Sequence, residues 1–157
     1  MALKFEDLGT ALKKLRDDIV RTADQTARRS VKEDFAGGAP VDTGYFKSTM
    51  QYSVNRTSKA DIGEAGPKAW QPDGTKDMQI MAANSQRAQS QVDARTNAEP
   101  ELKPGQKAYI YNDTPYGPFI EYGSPKTTPE ATARIAYAKL AKRIPDDMEK
   151  MLKQDWK

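Results

Sequence analysis

Five apolar residues near the start of the chain, Phe5, Leu8, Leu12, Leu15 and Ile19, recur at spacings of three and four. At about 100° per residue they share one face of an α-helix, a display that no strand can give. Ala23, Thr26 and Ser30 continue the stripe in smaller side chains. The run stops at Gly37-Gly38-Ala39-Pro40, where glycines end a helix and proline prevents its resumption. The spacing predicts one long helix from Lys4 to Phe35. Its first half is expected to pack in the core, and its small-residue second half to meet another backbone closely.

On the opposite face Lys14, Arg21 and Arg28 stand seven residues apart, followed by Lys32. Asp17 and Asp24 lie four residues before Arg21 and Arg28, the favourable order for helical ion pairs. That face is expected to be solvated and self-neutralised rather than a ridge for DNA. The whole chain agrees. Its formal charge is +3, and none of residues 1–36, 37–100 or 101–157 carries an excess of more than two basic side chains. A nucleic-acid footprint usually shows a one-sided basic excess.

The 157 residues are expected to form a single domain, long enough to bury a core. Hydrophobic content of 37% against 30% charged is the low edge of globular usage, so part of the chain is expected to order on assembly. Chemistry is bounded more tightly. With no histidine and no cysteine, triads, thiolate nucleophiles, disulfides and Cys/His metal sites are excluded. No cofactor or metal is expected, and no run approaches the apolar length of a membrane span.

After the first helix comes Pro40-Val-Asp-Thr-Gly-Tyr-Phe-Lys-Ser-Thr-Met50. Asp42 or Thr43 can cap a short turn through Lys47, and Gly44 permits close backbone approach. Asp42-Thr43-Gly44 also matches the start of an aspartic-protease motif, but it occurs once, in a short chain, after a helix and a Gly-Pro loop. Residues 50–57 and 60–66 read as two short strands joined by a polar turn at Ser58–Lys59. Residues 67–105 form a poorly hydrophobic insert: loop, then a marginal helix with little apolar face, then loop. It is expected to be an arm ordered against a neighbouring subunit, since Trp70 and the methionines Met78 and Met81 would otherwise face solvent.

Residues 106–112 alternate as a strand, with Tyr109 and Tyr111 on one face and Ala108 and Ile110 on the other. Beyond the Asn112–Pro115 turn, Pro118 begins a short helical turn that Gly123 ends. Pro125 and Pro129 stiffen the connection to a last helix, from about Thr128. Its stripe is Ala133, Tyr137, Leu140, Ile144, Met148 and Met151, and Pro145 is expected to kink or restart it. The fold class is therefore α+β: long N-terminal and C-terminal helices on a small, largely antiparallel sheet. Glu121, between Ile120 and Tyr122, is the most acid-catalyst-like residue. Asp113 is the one second carboxylate nearby, eight residues away, so the expected role of Glu121 is to accept backbone N–H bonds.

Two of these pieces together carry a resemblance. Residues 40–50 resemble the Pro-Val-Asp-Thr-Gly-x-[Leu/aromatic]-[Arg/Lys]-x-Ser signature of the tail-completion, or minor tail, proteins of tailed phages, the family that includes minor tail protein Z of lambda-like phages. Residues 109–131 resemble its second signature: a strand ending in Asn, then Pro-Tyr, Glu-[Tyr/Phe]-Gly, Ser, and a proline before the last helix. The order of elements agrees over about residues 5–152. The motif residues, implied to form an interface, are Asp42, Thr43, Gly44 and Ser48 in the first part. In the second they are Asn112, Pro115, Tyr116, Glu121, Tyr122, Gly123, Ser124 and Pro129. Gly117 stands where alanine is usual. The family's Pro-x-Gly-Met before the last helix is here Pro129-Glu130-Ala131-Thr132, which leaves the direction of that helix open.

The resemblance implies a non-enzymatic virion protein, made in the bacterial cytoplasm and built into the tail or neck. There it completes the tail or joins it to the head, as a homo-oligomeric ring, with six copies as the expected number. Neighbouring neck and tail ring proteins would be its partners, with DNA passing through the lumen and no membrane contact. Rival readings are another ring protein, such as a tail terminator or head–tail adaptor, and a DNA-binding protein. Proline bracing and buried aromatics in residues 109–131 would suit a preformed surface, which loses little entropy on binding.

Overall fold

The structure, a computed structural model, describes residues 5–55, 63–126 and 128–156. It is α+β, with long N-terminal and C-terminal helices and a two-stranded antiparallel sheet. Helix α1 (Phe5–Ser30) runs on into a π-helical segment, Val31–Ala36. The Gly37 N–H closes that segment on the Lys32 carbonyl at 3.2 Å. After α2 (Tyr45–Ser48) come β1 (Gln51–Val54), α3 (Met78–Ala98) and β2 (Ala108–Tyr111). A short α4 (Gly117–Tyr122) then leads to α5 (Thr132–Asp155).

Helices α1 and α5 lie antiparallel, fastened by polar bonds. The Thr26 hydroxyl donates to Asp147 at 2.8 Å, and Arg29 also pairs with Asp147. Asp34, buried in the π-helical segment, accepts from Ser30 Oγ and pairs with Arg143, both at 2.9 Å. The stripe of α1 departs from expectation in its first half. Its second half is buried at Thr26 and Ser30, while Leu8 and Leu12 in the first half are 48% and 58% exposed. The cause is length. Helix α5 ends near Lys14, whose ammonium lies 5.4 Å from the Trp156 ring centroid, so the first turns of α1 run past it. The face turned to α5 is also displaced from the stripe, so Asp18 is buried while Ile19 is exposed.

The basic face of α1 needs a second correction. Asp24 does pair with Arg28 at 2.9 Å, but Arg21 pairs with Asp18 and Asp17 with Arg16. Arg28 is not solvated. Its guanidinium donates to the carbonyls of Thr96 and Pro100 at 2.6 Å and of Glu99 at 3.1 Å, tying α1 to the end of α3.

Among the described residues the expected hairpin within residues 50–66 is not seen. Strand β1 pairs with β2, from Gln51 opposite Tyr111 to Val54 opposite Ala108. Residues 56–62 lie outside the described residues, and 63–66 form no strand. All four residues of β1 are buried, so both of its faces are covered.

Residues 67–105 pack on their own chain. Asp77 caps α3, its carboxylate accepting the N–H of Gln79 and Ile80 at 2.9 and 3.0 Å. The buried face of α3 is Asn84, Ala88, Val92 and Thr96, one residue per turn, set against α2, β1 and the π-helical segment. So narrow a stripe buries little apolar area, and polar bonds do much of the fastening. Trp70 remains 47% exposed, its backbone bridged to Lys76.

Helix α5 starts at Thr132, and Pro145 neither stops nor restarts it: the helix is continuous, with Pro145 on its exposed side. Ala136 and Met151 are its buried apolar residues, whereas Ala133 and Tyr137 face outward. The core gathers Val31, Phe35, Phe46, Met50, Tyr52 and Val92 where the π-helical segment, α2, β1 and α3 meet.

Candidate functional site

The first motif is a loop held from three sides. The Asp42 carboxylate does not cap α2; it accepts the N–H of Ala69 and Trp70 at 2.8 and 3.1 Å. Gly44 occupies the cap position, and the Thr43 hydroxyl accepts the Tyr45 N–H at 3.3 Å. The Thr43 carbonyl accepts from Gly66 N at 2.8 Å and from Arg87 at 3.0 Å. Gly44 has φ +78°, and a Cβ there would lie 2.8 Å from the Asn84 carbonyl oxygen, so both conformation and space demand glycine. Asn84 donates to the carbonyls of Asp42 and Pro67 at 2.6 and 2.8 Å. Ser48 donates to the Tyr45 carbonyl at 2.7 Å and accepts the Glu64 N–H at 3.2 Å, while its own carbonyl accepts from Arg95.

Of two cations close to this loop, Lys47 is buried and Arg95 partly so. Desolvation lowers the pKa of Lys47, against the opposing charge of Asp93, and its ammonium donates to Ser85 Oγ at 3.1 Å. Desolvation likewise lowers that of Arg95, against Glu64.

Asn112, at the end of β2, joins the second motif to the first. Its amide donates to the Phe46 carbonyl and to Thr49 Oγ1, both at 2.9 Å. Its oxygen accepts the N–H and hydroxyl of Thr114 at 2.9 and 2.7 Å, setting the turn into α4. Pro115 is exposed on that turn, and the Tyr116 ring packs 6.3 and 6.0 Å from the rings of Tyr45 and Phe46. Burial raises the pKa of the Tyr116 hydroxyl, with Tyr45 adding to the shift.

Glu121 caps α5. Its two carboxylate oxygens accept the N–H of Ala133 at 2.8 Å and of Arg134 at 3.1 Å, and the Arg134 guanidinium closes a ring back onto Glu121. Burial pushes its pKa up, but these hydrogen bonds and the Arg134 charge outweigh it and hold the carboxyl below its ordinary value. A carboxylate so occupied is a structural acceptor, the role expected for it.

Gly123, at φ +79°, ends α4, its N–H donating to the Phe119 carbonyl at 2.9 Å. Ser124 Oγ accepts the Lys126 N–H at 3.2 Å, and Pro129 is exposed in the segment leading to α5. Ala131, where the family signature has glycine, keeps the left-handed conformation, at φ +52°.

The two motifs therefore share one site. Phe46 and Met50 from the first, with Gly117, Pro118 and Tyr122 from the second, line an apolar pocket of about 250 Å³. The aromatics of the second motif are not buried as expected. Phe119 is 59% and Tyr122 69% exposed, with the Arg134 guanidinium 5.2 Å from the Tyr122 ring centroid. Tyr137, one turn beyond the pocket-lining Ala133, is 69% exposed. The short α4 has too few residues to bury its rings and cap α5 together. A larger groove of about 640 Å³ lies between α1 and residues 97–104, away from both motifs.

Residue reading missed Asn84, Arg87 and Arg95, all on the helix within the insert. The signal was present as the i, i+4 run Asn84–Ala88–Val92–Thr96, too polar to register as an apolar face. Among the described residues no cluster of three acidic side chains is placed to hold a metal, and no helix is long and apolar enough to cross a membrane. No family model, curated protein or solved structure matches the chain.

Proposed function

We propose that the protein is a structural component of a phage virion, acting at the head-proximal end of the tail to complete it or join it to the head. The observation that carries this reading is the Asn112 bridge. Two motifs more than sixty residues apart, each resembling a tail-completion signature, are hydrogen-bonded into one body through Phe46 and Thr49. Beside that body stand Phe119, Tyr122 and Tyr137, exposed on a short helix and a long one. Exposed aromatics around an apolar pocket on a rigid frame suit a protein interface, where such rings are the usual anchors.

On this reading the chain works as a closed ring with the symmetry of the tail, six copies, between neighbouring neck and tail rings, with DNA in the lumen. The motif residues fix the interface and carry no catalysis. Electron microscopy of lysates from a phage with a stop codon in this gene tests the proposal. Full heads beside unattached or defective tails are expected; intact, joined particles would overturn it.

A further inference from the structure

Among the described residues the sheet has two strands, and the outer edge of β2 is open. The Asn55 N–H donates to the Lys107 carbonyl at 2.8 Å, so the pairs 55/107, 53/109 and 51/111 are those that exchange main-chain bonds. The Val54 N–H accordingly turns away from β2, to Glu99 Oε2 at 3.1 Å. By the same alternation Ala108 and Ile110 point their N–H and C=O groups away from β1. Among the described residues no further strand takes them up. Ala108–Tyr111 carries no charge, proline or bulge, the usual protections of a free edge.

We propose that this edge pairs with β2 of a second copy of the chain, antiparallel about Ile110. Residues 107–113 read Lys-Ala-Tyr-Ile-Tyr-Asn-Asp, a sequence complementary to itself in that register. Ile110 meets Ile110, Tyr109 meets Tyr111, and Lys107 meets Asp113, the last two pairs each occurring twice. Lys107 and Asp113 are both exposed. The main chain selects the same register. Ile110 opposite itself, and Ala108 opposite Asn112, are the outward-pointing pairs, giving about six interstrand bonds. A slip of one residue turns these groups away from each other. A slip of two sets Lys107 against Tyr111 or Asp113 against Tyr109, and the charge match is lost.

The result is a four-stranded sheet across a two-fold axis, with the open edges covered. A two-fold contact does not close a cyclic ring. It belongs to the free protein before assembly and does not depend on the proposed virion role.

Sedimentation of the purified full chain in the micromolar range tests it. A dimer is expected. Lys107→Asp should weaken self-association about tenfold, by setting like charges opposite each other twice, and Lys107→Asp with Asp113→Lys should restore it. Ala108→Pro removes an outward N–H without touching the β1 ladder, and should leave a folded monomer. A chain monomeric throughout overturns the proposal, as does a dimer indifferent to both the proline and the charge exchange. If Ala108→Pro fails to fold, the charge exchange decides alone.

Discussion

Arg28 of α1 lays its guanidinium 4.7 Å from the centre of the Tyr52 ring on β1, and both reach the Asp24 carboxylate. The Arg28 side chain is only 15% exposed, and its remaining donors hold the carbonyls that end α3. Burial and the bond to Asp24 raise the pKa of the Tyr52 hydroxyl, so it stays a donor throughout the working range. Arg28→Met should cost about 3–5 kcal/mol, since it strands a buried carboxylate. Arg28→Lys should recover only part, because a point charge cannot serve Asp24 and three carbonyls at once. Urea midpoints of the two variants against the parent check this.

Asn112→Asp tests the bridge between the motifs. The replacement keeps the acceptor for Thr114 but removes the donor, setting a carboxylate against the Phe46 carbonyl. A loss of about 2–3 kcal/mol is expected, more than Asn112→Ala gives, because the aspartate adds repulsion to the lost bond. Thermal unfolding of the pair, compared at one pH near neutrality, gives the order.

These two sites also mark how far the sequence could be read. Glycine and proline punctuation was legible: Gly37–Pro40 ends the first helix, Gly123 ends α4, and Glu121 bonds to backbone. What escaped was polar packing between distant segments. Arg28 looked like one of four solvated cations because i, i+4 spacing reports its own helix and is silent about Thr96 or Pro100. Helix α3 shows little apolar face because Asn84 does a core residue's work by hydrogen bonding. The pairing of β1 with β2 across more than fifty residues leaves no local trace, whereas a nearby hairpin does.

Glu121 gives a pH dependence with a definite sign. Its carboxyl is held below its ordinary value in the folded chain, so its contribution is present above the unfolded pKa of about 4.3 and is lost as pH falls through the folded value. Arg134 is largely exposed, so much of the ion pair is screened and the cap bonds should dominate. Glu121→Ala should cost about 1–2 kcal/mol near pH 7. The gap between parent and variant should close as the medium is acidified, and stability against pH for both proteins shows whether it does.

Ala131 carries a strain that glycine would relieve. At φ +52° an L side chain costs about 1–2 kcal/mol, offset in part by the extra freedom glycine has when unfolded. Ala131→Gly should therefore stabilise the chain by about 0.5–1 kcal/mol, against the usual destabilising direction of that change in a helix. Gly44→Ala should do the reverse, at about 2 kcal/mol or more, since it adds a contact with the Asn84 carbonyl to an unfavourable φ. Differential scanning calorimetry of both variants reads the opposite signs.

Phe119 and Tyr137 separate folding from docking. Each is more than half exposed, so replacing it with serine should move stability by no more than about 0.5 kcal/mol. A ring that anchors an interface contributes about 2 kcal/mol or more to binding, so the same substitutions should cut incorporation into particles at least tenfold. The pocket-lining Met50 is the contrast: it is buried in the core, and Met50→Ala should unfold the frame before it affects docking. Complementing the stop-codon phage with each variant, and weighing the protein recovered in purified particles against its unfolding midpoint, distinguishes the two effects. Serine variants that are stable and fully incorporated would remove the aromatic patch from the interface and leave the apolar stripe of α1, at Leu8 and Leu12, as the surface to test.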